Sequence, residues 1–460
     1  MGQKKLWATA GKVLAAAAMI LIVVLMFAPG VWAGEFKILH QFTMPFKQED
    51  GDALYGRLIF DAAGNLYGTT AFGWGSGCNF HGCGGVFKLT PNPDGTWVED
   101  HLSGDFFNVD AGAWPMAGLV FDSAGNLYGT AAGDPVYACC GRVFQGVPNP
   151  DGTWTWSTLY AFEGSPDGAS PYGELVLDQA GNLYGTTTYG GTQGSYCWWS
   201  LPNQEAFGCG VVFKLTPNSG GSWAETVIYT FSGGPDGAWP RARLIFDSSG
   251  NLYGTTVAGG NYGGCTVDGC GNGVVFRLAP NSDGSWTETV LHSFVGGGGA
   301  PPPYASPDGA NPYAGLIFDV AGNLYGTTAN GGSYGGGVVF ELMPNPDGSW
   351  VEKVLHQFRG GADGANPYAD VVFDRDGDLW GTTLNGGKSS VGTVFKLAPG
   401  RDGRWVENAY CFTGAPARNP YAGLILDAEG NFYGTTAGGK DTHFPCGYHK
   451  ACGVVFEIIP

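Results

Sequence analysis

The sequence predicts an all-β protein, a seven-bladed β-propeller built from four-stranded antiparallel blades. Three observations predict it. One repeat occurs seven times, each copy holds four strand-like segments, and the strand missing from the last copy is found at the start of the chain. The composition agrees, because 81 glycines, 14% aromatic residues and only 13% charged residues are typical of a turn-rich β protein.

The repeat is defined by the phrase Leu-Ile-Phe-Asp-x-x-Gly-Asn-Leu-Tyr-Gly-Thr-Thr, which recurs with small changes. Its aspartate stands at Asp61, Asp122, Asp178, Asp247, Asp319, Asp374 and Asp427. The Asp-x-x-Gly-Asn part is typical of a hairpin turn, because an aspartate side chain can accept hydrogen bonds from the backbone of its own turn. Seven copies of one such unit indicate seven blades.

Four strand-like segments make up each copy, and the fourth copy shows them most clearly. They run from Arg243 to Asp247, Asn251 to Thr256, Val274 to Leu278 and Trp286 to Phe294. Each is short, rich in β-branched or aromatic residues, and bounded by Gly, Asn, Asp or Pro. No later stretch keeps a helical apolar period without Gly or Pro, so we expect no long helix.

The two ends of the chain predict how the ring closes. The last copy ends at Val454 to Ile459, which is its third strand. The segment Phe36 to Phe42 matches the fourth strands of other copies, Val290 to Phe294 and Val354 to Phe358. We therefore expect residues 36–42 to complete the seventh blade, which removes an exposed sheet edge.

The N-terminus has the layout of a secretory signal. Three lysines precede an apolar run from Val13 to Phe27, which is followed by a small-residue site ending at Ala33. We expect a signal peptide at residues 1–33 and a single propeller domain at residues 34–460, located outside the cell or in the periplasm. The alternative is a retained membrane anchor, although the apolar run is shorter than the roughly 20 residues that span a bilayer.

The motifs Gly-Asn-Leu-Tyr-Gly-Thr-Thr, Gly-Val-Val-Phe-Lys-Leu and Asp-Gly-Ala-Asn-Pro-Tyr resemble the GloVer (Gloeo/Verruco) tandem repeats of exported bacterial proteins. The resemblance covers essentially the whole chain after residue 33. It implies a propeller-like fold and export, and it implies no established activity. Proteins with such repeats often look fitted with a C-terminal surface anchor, whereas this sequence ends within its last blade. We therefore expect the protein to be released after signal cleavage and to have no contact with the membrane.

Ten of the 11 cysteines pair off locally within single loops. The pairs are Cys78 with Cys83, Cys139 with Cys140, Cys197 with Cys209, Cys265 with Cys270, and Cys446 with Cys452. In an exported chain this arrangement predicts disulfides that brace long loops. The spacings repeat no Cys-x-x-Cys ligand pattern, which argues against a metal site. The adjacent pair is the least suited to a disulfide, because its geometry is strained.

A net charge of −18 argues against nucleic acid or an anionic lipid surface as a partner. We expect a glycan or a protein partner instead. The loops between the second and third strands vary in length, and in a propeller they share a face with the blade crossovers. Because function concentrates on variable loops of a rigid scaffold, we expect the binding surface on this long-loop face. The oligomeric state stays open.

The charge at one repeat position differs from blade to blade. This position comes just before the apolar part of the innermost strand. Three blades have Gly118, Gly315 and Gly423 there, and the other four have Arg57, Glu174, Arg243 and Asp370. If this strand lines the channel, the four charges lie near its mouth. They either orient a polar ligand or pair with one another across the channel.

The longest loop of its kind runs from Thr188 to Gly210 in the third blade, and it carries four aromatic residues within the Cys197 to Cys209 segment. These candidates for ligand binding are Tyr196, Trp198, Trp199 and Phe207. Exposed aromatic side chains on a braced loop suit stacking on sugars or anchoring a protein. The alternative is that they pack against neighbouring loops.

The blade crossovers repeat the motif Asp-Gly-Ala-x-Pro-Tyr, with its aspartate at Asp167, Asp236, Asp308 and Asp363. A ring of carboxylates at one end of the channel could hold calcium, since hard cations prefer oxygen ligands. The alternative, which we favour, is that each aspartate caps its own turn and the motif joins blades. No other cofactor is predicted.

Two classes of function follow. The favoured one is a non-catalytic binding or scaffold propeller, with a polysaccharide or an envelope protein as ligand. The alternative is a lyase or hydrolase acting on glycans, in which Glu174 or Asp370 serves as acid or base and Arg57 or Arg243 holds a carboxylate or oxyanion. The sequence shows no nucleophile motif or histidine cluster, so no residue is assigned as catalytic.

Overall fold

The computed structural model describes residues 34–43, 51–74, 82–107, 113–133, 141–191, 197, 208–262, 265–266, 269–296, 307–414, 417–438 and 451–460. The predicted signal peptide at residues 1–33 therefore lies outside the described residues. Within the described ranges, no helix is long and apolar enough to cross a membrane.

Seven antiparallel sheets of the predicted kind form a seven-bladed β-propeller, which confirms the fold class. The innermost strands are Ile59–Phe60, Val120–Phe121, Val176–Leu177, Ile245–Phe246, Ile317–Phe318, Val372–Phe373 and Ile425–Leu426. The second strands are Leu66–Thr70, Leu127–Ala131, Leu183–Thr187, Leu252–Ala258, Leu324–Thr328, Leu379–Thr383 and Phe432–Thr436.

The third strands carry the Val-Phe pairs of the repeat, and the outermost strands mostly begin at a tryptophan. The third strands are Gly85–Pro91, Arg142–Pro148, Val211–Pro217, Val274–Pro280, Val338–Pro344, Thr393–Pro399 and Ala451–Ile459. The outermost strands are Trp97–His101, Trp154–Ala161, Trp223–Thr230, Trp286–Ser293, Trp350–Gln357, Trp405–Cys411 and, from the N-terminus, Glu35–Thr43.

A few short elements decorate the blades. Gly51–Asp52 pairs with Phe72–Gly73, and Ala238–Pro240 extends the sheet of the fourth blade. Cys265–Thr266 pairs with Gly269–Cys270, and one 3-10 turn spans Gly104–Phe106.

The N-terminal strand closes the ring as the sequence predicts. Glu35–Thr43 pairs antiparallel with Ala451–Ile459, and Phe36 lies opposite Ile458. The Phe36 ring also stacks on Tyr410 of the sixth blade, with ring centroids 5.1 Å apart. The first described segment of the chain is thus both the outer edge of the last blade and part of its packing on the blade before it.

Close packing of strands explains the glycine in Leu-Tyr-Gly-Thr-Thr. In the fourth blade, a Cβ atom on Gly254 would lie 2.7 Å from Cζ of Phe276, the third-strand phenylalanine opposite it. Phe276 is fully buried, as are its counterparts in the other blades. The repeat keeps glycine there because a side chain would displace the largest core residue of the blade.

The second strand also joins each blade to the next. Tyr67 packs edge-on against Phe121 of the following blade, with centroids 5.2 Å apart. The first threonine after the glycine donates a hydrogen bond to a backbone carbonyl just before the innermost strand of the next blade. These bonds run from Thr69 to Ala117, Thr130 to Gly173, Thr186 to Ala242, Thr255 to Ala314, Thr327 to Ala369, and Thr382 to Ala422. Thr435 closes the circle by donating to Leu54.

The aspartate of Asp-x-x-Gly-Asn caps the inner hairpin in the predicted way. At Asp61, Oδ1 accepts hydrogen bonds from the backbone N–H groups of Ala63 and Asn65, each at 2.9 Å. Its Oδ2 accepts from the hydroxyl of Tyr67 at 3.1 Å. The same contacts recur around the ring, so this motif has a structural role.

Candidate functional site in the channel mouth

A cavity of about 750 Å³ opens at one end of the central channel. Its wall comes from the start of the innermost strands of all seven blades, and its rim includes Asn385 and Ser390 of the sixth blade's loop and Gly438 of the seventh. Crossovers and second-to-third loops pair at this end, for example Ala365 with Asn385. The cavity therefore lies on the long-loop face, and its volume is in the range of small-molecule sites.

An aromatic collar surrounds this cavity. Six positions before the repeat aspartate, five of the seven blades have a tyrosine, one has methionine and one has arginine. The collar consists of Tyr55, Met116, Tyr172, Arg241, Tyr313, Tyr368 and Tyr421. Tyrosine rings of adjacent blades are in contact. The ring centroids are 4.8 Å apart for Tyr313 and Tyr368 and 5.1 Å apart for Tyr368 and Tyr421.

The residues on either side of the sixth blade's collar residue are bound by the blade before it. In the sixth blade, Asn366 adopts a left-handed conformation with φ 57°, which asparagine tolerates better than most residues. Its amide donates to the carbonyl of Ala329 in the preceding blade at 2.8 Å. Pro367 follows and fixes the approach to Tyr368, and Thr327 anchors Ala369 on the other side.

Arg241 interrupts the collar of tyrosines. Its guanidinium carbon lies 5.0 Å from the ring centroid of Tyr172 and 5.7 Å from that of Tyr313. These cation–π contacts let it replace a tyrosine without breaking the aromatic circle. Sequence reasoning missed both the collar and this residue. The signal was an arginine in Ala-Trp-Pro-Arg where other blades have Asn-Pro-Tyr.

A charged layer lies two residues further along the same strands. Arg57 donates from Nη2 to Glu174 at 3.0 Å, and its Nη1 lies 3.7 Å from Oδ2 of Asp370. Arg243 contacts the same Asp370 oxygen from Nε and Nη2, both at 2.9 Å. The four predicted charges therefore form one continuous chain of ion pairs, in the order Glu174, Arg57, Asp370, Arg243.

The three glycines of this layer make the ion pairs possible. Every pair skips one blade, and the skipped blade is one that has glycine at this position: Gly118, Gly315 or Gly423. A Cβ on Gly118 would lie 2.6 Å from Oε2 of Glu174, and one on Gly315 would lie 2.9 Å from Cγ of Arg243. The alternation of charge and glycine in the sequence thus encodes which charges meet.

The ionisation of the site follows from these contacts. Burial alone would raise the pKa of Asp370, but Arg243 and Arg57 outweigh it and hold that pKa below its ordinary value. Burial raises the pKa of Tyr55 and of Tyr368 to about 12, so both hydroxyls stay protonated near neutral pH. The site thus presents the neutral phenols of Tyr55 and Tyr368 above a layer of paired carboxylates and guanidinium groups.

Comparison with known proteins shows which family the chain belongs to. Its sequence matches the Gloeobacter/Verrucomicrobia repeat over residues 27–197 and 303–460, which is more than half of its length. The chain belongs to this repeat family. The Gloeobacter/Verrucomicrobia repeat therefore accounts for the motifs noted in the sequence, and the predicted resemblance is confirmed. No curated protein matches the sequence.

Two solved structures are similar to this Gloeobacter/Verrucomicrobia repeat protein at low sequence identity. An ancestral GH74 enzyme is 12% identical with a TM-score of 0.53, over 92% of this chain and 51% of that enzyme. The chain thus spans about half of that enzyme's length. An α-L-arabinofuranosidase mutant from Fusarium graminearum, bound to an iminosugar inhibitor, is 13% identical over 92% of this chain and 97% of that one, with a TM-score of 0.42. The first likeness shows the fold alone, and the second is too weak to carry an argument.

The other predicted site residues of this Gloeobacter/Verrucomicrobia repeat protein lie elsewhere or outside the described residues. Tyr196, Trp198, Trp199 and Phe207 are among the latter. The crossover aspartates do not line the cavity. Asp167 accepts hydrogen bonds from Tyr160 and from the backbone of Glu163, beside the end of an outermost strand. Among the described residues, no group of His, Cys, Asp or Glu is arranged to hold a metal ion.

The predicted disulfides are partly visible. Cys197 and Cys209 are bonded, with Cα atoms 5.4 Å apart, and Cys83 is also disulfide-bonded. Cys265 and Cys270 lie opposite one another in a short ladder. Cys78, Cys139, Cys140 and Cys446 lie outside the described residues, and the side chain of Cys452 is not described.

We expect the double variant C197S/C209S to lower the free energy of unfolding by about 3 kcal/mol, because the bond restrains the loop in the unfolded chain. Thermal or urea unfolding of the non-reduced protein measures this. The control is C411S at the unpaired, half-buried Cys411, for which we expect little change. Equal stability of C197S/C209S and the parent protein would contradict the expectation.

Proposed function

We propose that this protein is a non-catalytic binding propeller that takes the end of a saccharide chain in its channel mouth. The observation that carries the proposal is the aromatic collar around a cavity of about 750 Å³ on the long-loop face. Flat aromatic faces stack on the apolar faces of sugar rings, and tyrosines add hydroxyls at small entropic cost. A rigid, closed ring holds them in place before any ligand arrives.

The shape of the cavity supports a chain end as the ligand. Its lining includes the collar and charged-layer positions of the innermost strands, and it includes no residue beyond them on those strands. The linked ion pairs of Arg57 and Asp370 form the floor. We infer that these ion pairs close the mouth from below, and a mouth closed in this way suits the last unit of a chain better than an internal segment that must enter and leave.

The charges of the floor favour binding over cleavage. Glycoside cleavage by two carboxyl groups needs one acid whose pKa is raised towards the working pH. The pKa of Asp370 is shifted the opposite way, and Glu174 is engaged by Arg57. The disulfides at Cys83 and between Cys197 and Cys209 support an oxidising compartment outside the cytoplasm, where polysaccharides are abundant ligands.

The test is a binding screen of the purified protein against a polysaccharide and oligosaccharide array, with and without calcium. We expect selective binding that the double variant Y368A/Y421A abolishes while its circular dichroism and unfolding temperature stay near those of the parent protein. The control is Y262A, because Tyr262 is 49% exposed and lies outside the cavity. Y262A should bind like the parent protein.

A second variant separates the channel mouth from the third-blade loop. If W198A/W199A abolishes binding and Y368A/Y421A does not, the ligand site lies on that loop and the proposal for the mouth is wrong. If no saccharide binds, the proposed function itself is wrong. Calcium-dependent binding of a saccharide by Y368A/Y421A would also mean that the ligand binds at another site.

A further inference from the structure

We propose that the saccharide end held in the mouth is acidic, and that Arg241 binds its carboxylate. This inference rests on the proposed function and adds the chemical class of the ligand. It begins from the charges that line the cavity. Four arginines line it, at Arg57, Arg241, Arg243 and Arg418, against two carboxylates, Glu174 and Asp370. The mouth thus has an excess of two positive charges in a chain whose net charge is −18.

The carboxylates of the mouth are already engaged, and two of its arginines are not. Glu174 and Asp370 accept from Arg57 and Arg243. Within the described part of the chain, Arg241 and Arg418 form no ion pair. The cation–π contacts of Arg241 compensate only in part for the hydration that its guanidinium group loses, because it has no carboxylate partner. An anionic ligand supplies the missing partner.

Three tyrosine hydroxyls of the mouth also lack hydrogen-bond partners among the described residues. The hydroxyls of Tyr313, Tyr368 and Tyr421 make no hydrogen bond with any described residue, although all three side chains line the cavity. Burial raises the pKa of Tyr421 despite the nearby Arg241, so this hydroxyl remains a donor. The mouth therefore offers uncommitted donors, from the two arginines and these hydroxyls, to a ligand with many acceptor oxygens.

The kind of anion follows from the geometry around Arg241. Its guanidinium plane is flanked by Tyr172 and Tyr313, which can stack on a sugar ring beside it. Guanidinium binds a carboxylate through two parallel hydrogen bonds, and such charge-assisted pairs are about twice as strong as neutral ones. A terminal uronic acid unit combines both features: a ring for the collar and a carboxylate for Arg241.

The variant R241Y tests the inference cleanly, because tyrosine is the collar residue of five other blades and the fold accommodates it there. We expect trigalacturonic acid to bind the parent protein more tightly than its methyl ester does. R241Y should weaken binding of the acid by roughly tenfold or more and abolish the preference for the acid over the ester. Isothermal titration calorimetry at fixed salt measures both.

The control is R359Q, which removes one positive charge outside the mouth, where Arg359 lies over Tyr334 at 5.3 Å. It should bind the acid like the parent protein. Equal weakening in R359Q and R241Y would mean general charge attraction and would overturn the assignment to Arg241. Equal affinity of the acid and the ester overturns the inference and leaves the proposed function standing, whereas failure of every saccharide to bind overturns both. Preference for an acidic peptide over the acid overturns the saccharide class.

Discussion

Replacing Asp370 by asparagine is expected to destabilise the propeller by about 3 kcal/mol, because it leaves two guanidinium groups facing each other without their shared carboxylate. Asp370 is 9% exposed and contacts both Arg57 and Arg243. The lower end of the usual range applies, because both arginines reach the cavity and retain some water. Urea unfolding at neutral pH measures the loss as a lower midpoint with an unchanged slope.

The matched control is D402N. Asp402 also pairs with an arginine, Arg404, but at 3.7 Å and with a side chain that is 65% exposed. An exposed pair of this kind contributes between about 0 and 1 kcal/mol, so D402N should be nearly neutral. If D370N is as stable as D402N, the chain of ion pairs does not stabilise the ring, and its role in the floor of the site must be reconsidered.

Lowering the pH from about 8 to about 5 is expected to stabilise the protein, although turn aspartates such as Asp61 act in the opposite direction at lower pH. Four glutamates on outermost strands are half-buried against the crossover aspartate of the preceding blade. Burial, with the charge of that aspartate, raises the pKa of Glu225, Glu288 and Glu407 to about 7 and that of Glu352 to about 8. Among the residues that the structure describes, their Oε1 atoms have no hydrogen-bond partner.

The sign follows from linkage. A carboxyl group whose pKa is raised on folding is more stable in the folded state when protonated, so its full contribution is present below the unfolded pKa and is lost as pH rises through the folded value. The unfolding temperature should therefore rise as pH falls through 8 to 5. Below pH 4 it should fall, because turn aspartates such as Asp61, whose pKa is lowered by hydrogen bonds that outweigh burial, become protonated.

A fourfold glutamate-to-glutamine variant at residues 225, 288, 352 and 407 tests the cause. It should be more stable than the parent protein at pH 8 and should lose most of the rise between pH 8 and 5. The control changes four exposed carboxylates to amides, at Glu35, Glu163, Asp376 and Glu429. It removes the same number of carboxylates as the fourfold variant does. If the control variant flattens the pH profile as much, net charge is the cause and the glutamates are not.

Much of the fold could be predicted from the sequence, because a propeller repeats its local chemistry in every blade. Three features depend on contacts within one blade or between adjacent blades. They are the aspartate turn, the glycine opposite phenylalanine and the closing strand at residues 36–42. Such contacts recur as sequence patterns. The third-blade loop does not recur, and the residues Tyr196, Trp198, Trp199 and Phe207 remain candidates on sequence grounds alone.

The site could be predicted only in part. The sequence located Arg57, Glu174, Arg243 and Asp370 as departures from the repeat, and it left open whether they pair or bind. Each pair forms because two side chains meet across an intervening blade that has glycine at the same position. That arrangement exists only in the closed ring. The collar was hidden for a different reason. Tyrosine in Asn-Pro-Tyr looks like part of a structural motif until the ring brings the tyrosines into contact.

The most direct test of the channel mouth as the ligand site is a crystal structure of the protein with an oligosaccharide selected from the array. We predict that the terminal sugar lies in the cavity, with its ring against Tyr368, Tyr421 or Tyr313 and above the ion pair of Arg57 and Asp370. A well-ordered saccharide bound to the third-blade loop or to a blade edge, with the mouth empty, would contradict the proposal.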